Sequence, residues 1–478
     1  MGMVGLQVQW AIEYVFMTPL LLARGMAPSL VSYAWLPSPV LQFFVSPWLG
    51  RRSDTCKSRL GRRRPFLMAA AVVATLSMAA IPFASTLGEA AGEDSTSRRA
   101  QYVTLSVLIT LFVVVDASNS VNEEFQRVLV TDLATTDAES LRGHSVLSSA
   151  VGAGGCLGYT FGALPLDTTD LHSDAALLVV IGLAVFLPGT LATLLSAKEQ
   201  PVVAVAGSKV ACLPVAATKA PPGALQPLLG SGAGVPPQQH PSLWAALRAA
   251  PGSFRVLCAL QLISWMGLWP VWQYTTAFFG SHVYNGDADA AKHSHAANVY
   301  NTGVRRGSLA LACMAALNTG LSLCVPTVVA AVGSRAVLAG SQVLAGVSFI
   351  GLTLTRSPLV CCTLVAVSGV SWCVSTVKGG GAHKPSLRYA RAVNNSVPYL
   401  LVKQLVPDAS SRGVTSNVLY MAQTMPQLVS SVVMGPLISA FGGSFLAPMV
   451  VAGGASVAAG VLSGLCLPSV RKETATAE

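Results

Sequence analysis

Twelve apolar runs of roughly twenty residues, separated by short gaps that hold most of the charge, leave this chain few folds to choose from. A helix needs ~20 apolar residues to cross the hydrocarbon core of a bilayer, where the backbone has no water to bond with and must satisfy itself. The first six runs lie at roughly 3–23, 28–50, 66–87, 102–133, 144–164 and 175–196. The last six lie at roughly 253–279, 307–332, 336–355, 358–377, 413–441 and 444–467. The expected class is an all-α integral membrane protein.

Composition agrees, because only 10% of the 478 residues are charged against 52% hydrophobic, where a soluble chain carries about a quarter charged. The net charge of +10 does not point to nucleic acid. Its basic residues gather at the expected membrane edges without interleaved aromatics, which suits topology and contact with anionic lipid. The cysteines, among them Cys156, Cys258, Cys313, Cys361 and Cys362, sit mostly inside apolar runs without metal-ligand spacing, and read as small buried hydrophobes. Met3 opens almost directly into apolar sequence without the basic start and cleavage site of a signal peptide, so the first segment is expected to stay as a helix.

Orientation comes from Arg51–Pro65, which holds seven Arg or Lys residues and one carboxylate, Asp54, between two uncharged flanks. Short basic loops stay on the cytoplasmic side. Alternation then puts both termini and the central segment inside, and the acidic or mixed loops Gly88–Ala100 and Leu166–Asp174 outside. Residues 197–252 are rich in Pro, Gly and Ala and read as a cytoplasmic linker between two six-helix halves, 1–196 and 253–468, with a tail at 469–478. Six plus six helices about a long linker resembles the major facilitator superfamily, though other twelve-helix transporters share the count.

Ionisable residues inside a bilayer cost about 3 kcal/mol at a helix centre on insertion scales, so those present tend to mark solute or proton paths. Asp116 follows an apolar stretch with nothing nearby in sequence to neutralise it. Arg127 and Asp132 follow on the same helix, and eleven residues at 3.6 per turn bring Arg127 back to nearly the Asp116 face, ~16 Å along one cavity. The competing structural role for Asp116 is a buried carboxyl bonded to a Ser or Asn of a neighbouring helix. Arg127 and Asp132 lie nearer the edge, where a structural ion pair or snorkelling is cheap. Glu13, in the middle of the first run, suits a group that takes and releases a proton in each cycle. Gly152–Gly162 has the look of a nucleotide loop, but it lies in an apolar run with no preceding strand and fits close helix approach instead. His172, His282, His293 and His295 fall in expected outer loops. No catalytic set, metal cluster or Walker motif stands out, which argues against an enzyme.

Ser53–Phe66, with Gly61-Arg62-Arg63-Arg64-Pro65, resembles the loop between helices two and three of sucrose/proton symporters of the glycoside-pentoside-hexuronide type, the group that includes plant sucrose carriers and solute carrier family 45. Asp116-Ala-Ser-Asn119, then Arg127 and Asp132-Leu133, resembles the fourth helix of that family. Gly303-Val-Arg-Arg-Gly307 and Gln423-Thr-Met-Pro-Gln427 are similar to its eighth and eleventh helices. The resemblance implies proton-coupled uptake of sucrose or a glucose-type sugar by alternating access, with the proton as coupling ion and no cofactor. It implies Asp116 as coupling carboxylate, joined by Glu13, and Arg127 with Asn119 as sugar contacts. Asp54, Gly61, Arg62, Arg63, Arg64 and Asp132 would form the cytoplasmic gate. A monomer in the plasma membrane or an acidic organelle membrane is expected.

Three departures stand beside the likeness. Ala277 replaces a family carboxylate, Glu124-Phe125 replaces a Gly-Pro pair, and the polar stretch Lys378–Ala392 interrupts the tenth helix, as a loop or an artefact of gene prediction. Ala277 is the feature that favours an uncoupled facilitator or an exporter of a non-sugar solute. A non-transporting scaffold would have only the linker to supply a partner motif.

Overall fold

The computed structural model describes residues 1–54, 56–91, 97–133, 137–165, 174–197, 199, 248, 251–291, 294–322, 324, 328, 331–376 and 412–467. The segment 378–392, nearly all of the linker and the tail lie outside them. In chain order the helices are α1 Gly2–Ala23, α2 Pro28–Ala34, α3 Pro37–Asp54, α4 Arg64–Ala80, α5 Ala84–Ala91, α6 Arg98–Leu133, α7 Asp137–Gly162 and α8 Asp174–Ser196. The second half holds α9 Gly252–Phe278, α10 His295–Ser322, α11 Ser334–Thr353, α12 Pro358–Thr376, α13 Arg412–Ala440 and α14 Leu446–Cys466. Counting α2 with α3 and α4 with α5, the described residues hold twelve helical segments, six before the linker and six after it.

Two of the expected runs are each built from two helices. Pro37 starts α3 after a gap of two residues, Trp35 and Leu36, since proline favours a first turn and disfavours the helical state of the residue before it. A 3-10 turn at Ile81–Phe83, containing Pro82, separates α4 from α5. The eighth segment begins twelve residues earlier than its apolar run, at His295 rather than 307, so His295 lies on a helix and not in a loop. The reason is a polar first stretch: Asn298, Asn301, Thr302, Arg305 and Arg306 defeat an apolar count although they form regular helix. Among the described residues six helical stretches are apolar enough to cross a membrane on length and composition alone. α1 falls short because Gln7, Gln9, Glu13 and Thr18, all buried in the bundle, lower its apolar content.

α1 runs through the middle of its half, buried on nearly every side and packed chiefly against α7 and α8. The small-residue stripe of α7 makes this possible. A Cβ at Gly154, Gly158 or Gly162 would come within 2.5 to 2.7 Å of Val4, Ala11 or Val15 on α1. The halves meet along α7 with α10, α13 with α2 and α1 with α9. At the end away from the basic loop the seam is tight: the Thr18 hydroxyl donates to the Gln273 carbonyl at 2.9 Å. There too a Cβ on Gly435 would lie 2.4 Å from the Ser29 carbonyl oxygen.

Candidate functional site

Two carboxylates occupy the midpoints of their helices. Glu13 lies halfway along α1 and Asp116 halfway along the 36-residue α6, and both are almost fully buried. They sit within electrostatic range of one another. The Ser38 hydroxyl of α3 bonds the Asp116 carboxylate, while one Glu13 oxygen has no hydrogen-bond partner among the described residues. The structural role weighed for Asp116, a bond to a neighbouring serine, is therefore present in the geometry beside its mid-helix position.

The stripe of α6 continues from there. Asn119 is fully buried, with both amide atoms lacking a partner among the described residues. Glu123 and Arg127 follow one and two turns on, so that Asp116, Glu123 and Arg127 fall within about 40° around the helix axis. Arg127 is not an isolated cation facing Asp116. Its Nη2 and Nε donate to Glu123 Oε1 at 2.6 and 3.1 Å. The i,i+4 spacing of that pair is the local sequence signal for it.

Across the seam lies a cluster of rings. Tyr14 of α1 stacks on Trp35 with centroids 5.2 Å apart and 19° between planes, and lies 6.4 Å from Trp272 of α9. Trp272 in turn meets Trp269 and Trp372, each at 5.3 Å, and Trp265 at 5.9 Å. Trp265, Trp269 and Trp272 follow helical spacing, which brings all three to one face of α9. Buried amides surround the rings in sequence and along the same helices: Gln9 on α1 and Gln273 on α9 keep both amide atoms without partners among the described residues, while Gln423 Nε2 donates to Gln261 Oε1 at 3.1 Å. Rings next to amides offer an apolar face and directional hydrogen bonds together, which is how a polyhydroxyl solute is recognised. Ala277 is fully buried on α9, and its carbonyl accepts from the Ser281 hydroxyl at 2.8 Å.

At the other end of α6, Asp132 Oδ2 accepts from Arg63 Nε at 2.9 Å and from Arg62 Nη2 at 3.1 Å. Arg63 also donates to the Ser53 hydroxyl. Gly61 adopts a φ of +107°, and a Cβ there would collide with Glu199, 2.2 Å from its carboxylate. Glu199 accepts from the backbone N–H groups of Arg63 and Arg64 at 3.1 Å, capping the first turn of α4. Glu199 lies 136 residues from Arg63, so no local pattern pointed to it. Asp54 ends α3, and its side chain lies outside the described residues; Arg64 packs at the start of α4.

Residues 1–122 match the family profile described as MFS/sugar transport protein. The chain is 25% identical over 484 residues to the sucrose transport protein SUC4 of Arabidopsis thaliana, covering 98% of this chain and 88% of that one. It is 26% identical over 508 residues to the sucrose transport protein SUT5 of Oryza sativa subsp. indica, covering 98% and 86%. Among solved structures, a D-xylose–proton symporter superposes with a TM-score of 0.61 at 13% identity, covering 98% of this chain and 96% of that one. The nucleoside transporter NupG superposes with a TM-score of 0.57 at 11% identity, covering 97% and 96%. Together, helix layout and superposable structures give the chain the major facilitator fold, and the full-length relatives it resembles are sucrose transport proteins.

Proposed function

We propose that this transporter carries sucrose or a related sugar across a membrane together with a proton, by alternating access. The observation that supports this reading best is the placement of two buried carboxylates, Glu13 and Asp116, at the midpoints of α1 and α6, with Glu13 next in sequence to Tyr14, whose ring meets Trp272 of the other half. A site for coupling a proton to a solute needs that adjacency, because protonation and loading must sense each other.

In the outward-open state Asp116 takes a proton, and the sugar lays a ring face on Trp272 and Tyr14 while its hydroxyls bond Asn119 and Arg127. The halves then rock about the filled site. The contacts at Thr18 and Gly435 close the outer end as the basic loop, on the cytoplasmic side with both termini, releases the inner end. Asp132 with Arg62 and Arg63, Asp54, Gly61 and Arg64 form the latch on that side, and sugar and proton leave into the cytoplasm.

The test is uptake of labelled sucrose, glucose and maltose by proteoliposomes with and without an inward proton gradient. Concentrative, gradient-dependent uptake of at least one sugar is expected, lost in Asp116→Asn. Uptake that ignores the gradient would replace this reading by facilitated diffusion, which the fully buried Ala277, where the resemblance implies a carboxylate, favours. Uptake of none of the sugars would remove the substrate class.

A further inference from the structure

We infer that Glu123 is an internal competitor for the solute: its carboxylate holds Arg127 in the empty transporter and must yield the guanidinium when sugar arrives. The inference rests on the proposed reading that Arg127 contacts the sugar. It goes beyond that reading by assigning a residue that lowers affinity rather than raises it.

Three observations carry it. Both the Nε and the Nη2 of Arg127 converge on a single oxygen, Glu123 Oε1, at 3.1 and 2.6 Å, so one edge of the guanidinium fork is taken. That edge is the one best suited to grip a pair of neighbouring hydroxyls or a carboxylate. Glu123 stands one turn closer to Asp116 than Arg127 does, on the same stripe of α6, and lies within electrostatic range of Tyr14 on α1, the residue in ring contact with Trp272. Its position is therefore inside the solute path and not on an outer face. Exposure is unequal as well: the Glu123 side chain is 12% exposed and that of Arg127 35%, so the arginine is the partner reachable from the open side. With Glu at i and Arg at i+4 the pair also has the favourable helical orientation, which makes it the resting arrangement.

A neutral sugar offers weaker acceptors than a carboxylate, so every binding event must replace a charge-assisted contact with a neutral one. Removing the competitor then tightens solute binding. An ordinary structural role predicts the reverse, because losing one partner of a buried pair leaves the other charge uncompensated and weakens the protein.

The experiment compares initial uptake of labelled sucrose by full-length wild type, Glu123→Gln, Glu123→Asp, Arg127→Ala and the Glu123→Gln/Arg127→Ala double variant in proteoliposomes, with detergent thermal stability as a folding control. The expected result is a fall in KM of about threefold to fivefold in Glu123→Gln with no gain in maximal rate, a smaller fall in Glu123→Asp, and no effect of Glu123→Gln once Arg127 is gone. A KM that is unchanged or raised in a stably folded Glu123→Gln would overturn the inference, since Glu123 would then be a bystander or a sugar ligand itself. Should Glu123→Gln fail to fold, Glu123→Asp decides by the same sign of its KM shift. If Arg127→Ala leaves KM at the wild-type value while sucrose is still taken up, the arginine contact fails and the inference with it, but the transport reading survives; if wild type takes up no sugar, both fail.

Discussion

Trp272 carries more of the seam than any neighbouring ring, touching Tyr14 in the opposite half and three tryptophans in its own. Truncating a buried tryptophan to alanine costs about 3–5 kcal/mol through lost burial and the cavity left behind. Trp272→Ala should therefore lower the thermal midpoint in detergent strongly and abolish uptake, whereas Trp272→Phe keeps a ring on Tyr14 and should retain most of both. Outside the membrane, Asp289 gives a prediction with a definite sign. Burial and the neighbouring Asp287 carboxylate hold its carboxyl above the ordinary carboxylate range. A raised folded value means the folded loop binds the proton more tightly, so stability falls as pH climbs from the unfolded carboxylate value upward through the folded one. Asp289→Asn should stabilise the protein slightly at pH 7, by less than about 0.5 kcal/mol for so exposed a group, with a small rise in the thermal midpoint, and leave it unchanged near pH 3. Thermal scans at the two pH values measure it.

At the scale of elements, the turn from α3 into α4 depends on one backbone angle and one carboxylate 138 positions along the chain from it. Gly61→Ala has to adopt a left-handed φ that alanine resists, and it drives its Cβ into Glu199. A loss of roughly 1–2 kcal/mol from the strained backbone is expected, with a further loss from expelling Glu199 off the α4 N-terminus. Glu199→Ala alone should show only the second loss, and the double variant little more than Gly61→Ala; a fully additive pair in chemical-denaturation or thermal scans would contradict the contact. These elements also show what was legible in advance. The helices followed from apolar length, since hydrocarbon thickness fixes it. The tenth helix of the structure, α10, starts early because its first three turns carry polar side chains, of which Asn301 is buried while His295, Asn298 and Arg306 are exposed, and an apolar count reads such a stretch as loop. The mid-membrane carboxylates stood out because charge there is rare, and Asn119 and Asp132 came with the fourth-helix motif. Glu199 and the Trp35–Tyr14–Trp272 bridge were hidden for a different reason: each joins residues far apart in sequence, and only folding brings them together.

Across the whole molecule, the seam at the end away from the basic loop relies on side-chain size. A leucine at Gly435 would meet the Ser29 carbonyl and the Ser32 hydroxyl, both under 3 Å from a Cβ, and would wedge α13 away from α2. Such a wedge opposes closure of that end without touching the carboxylates. In Gly435→Leu, a cysteine introduced at Thr18 should react with a membrane-impermeant thiol reagent several-fold faster than in the wild-type background, and uptake should fall in parallel. Equal reactivity would mean that α13 absorbs the wedge within its own half.

The ring bridge has an optical consequence. Of the eight tryptophans in the chain, Trp10, Trp35, Trp265, Trp269, Trp272 and Trp372 are joined through Tyr14 into one connected network at the seam, while Trp48 lies exposed beside Arg52 and Trp244 falls outside the described residues. Ultraviolet emission from the unlabelled protein thus originates mostly where the two halves touch. Parting of the halves, or a solute sliding between Tyr14 and Trp272, would change both the polarity those indoles sense and the transfer of excitation among them, so the protein carries a built-in fluorescent reporter of the proposed movement.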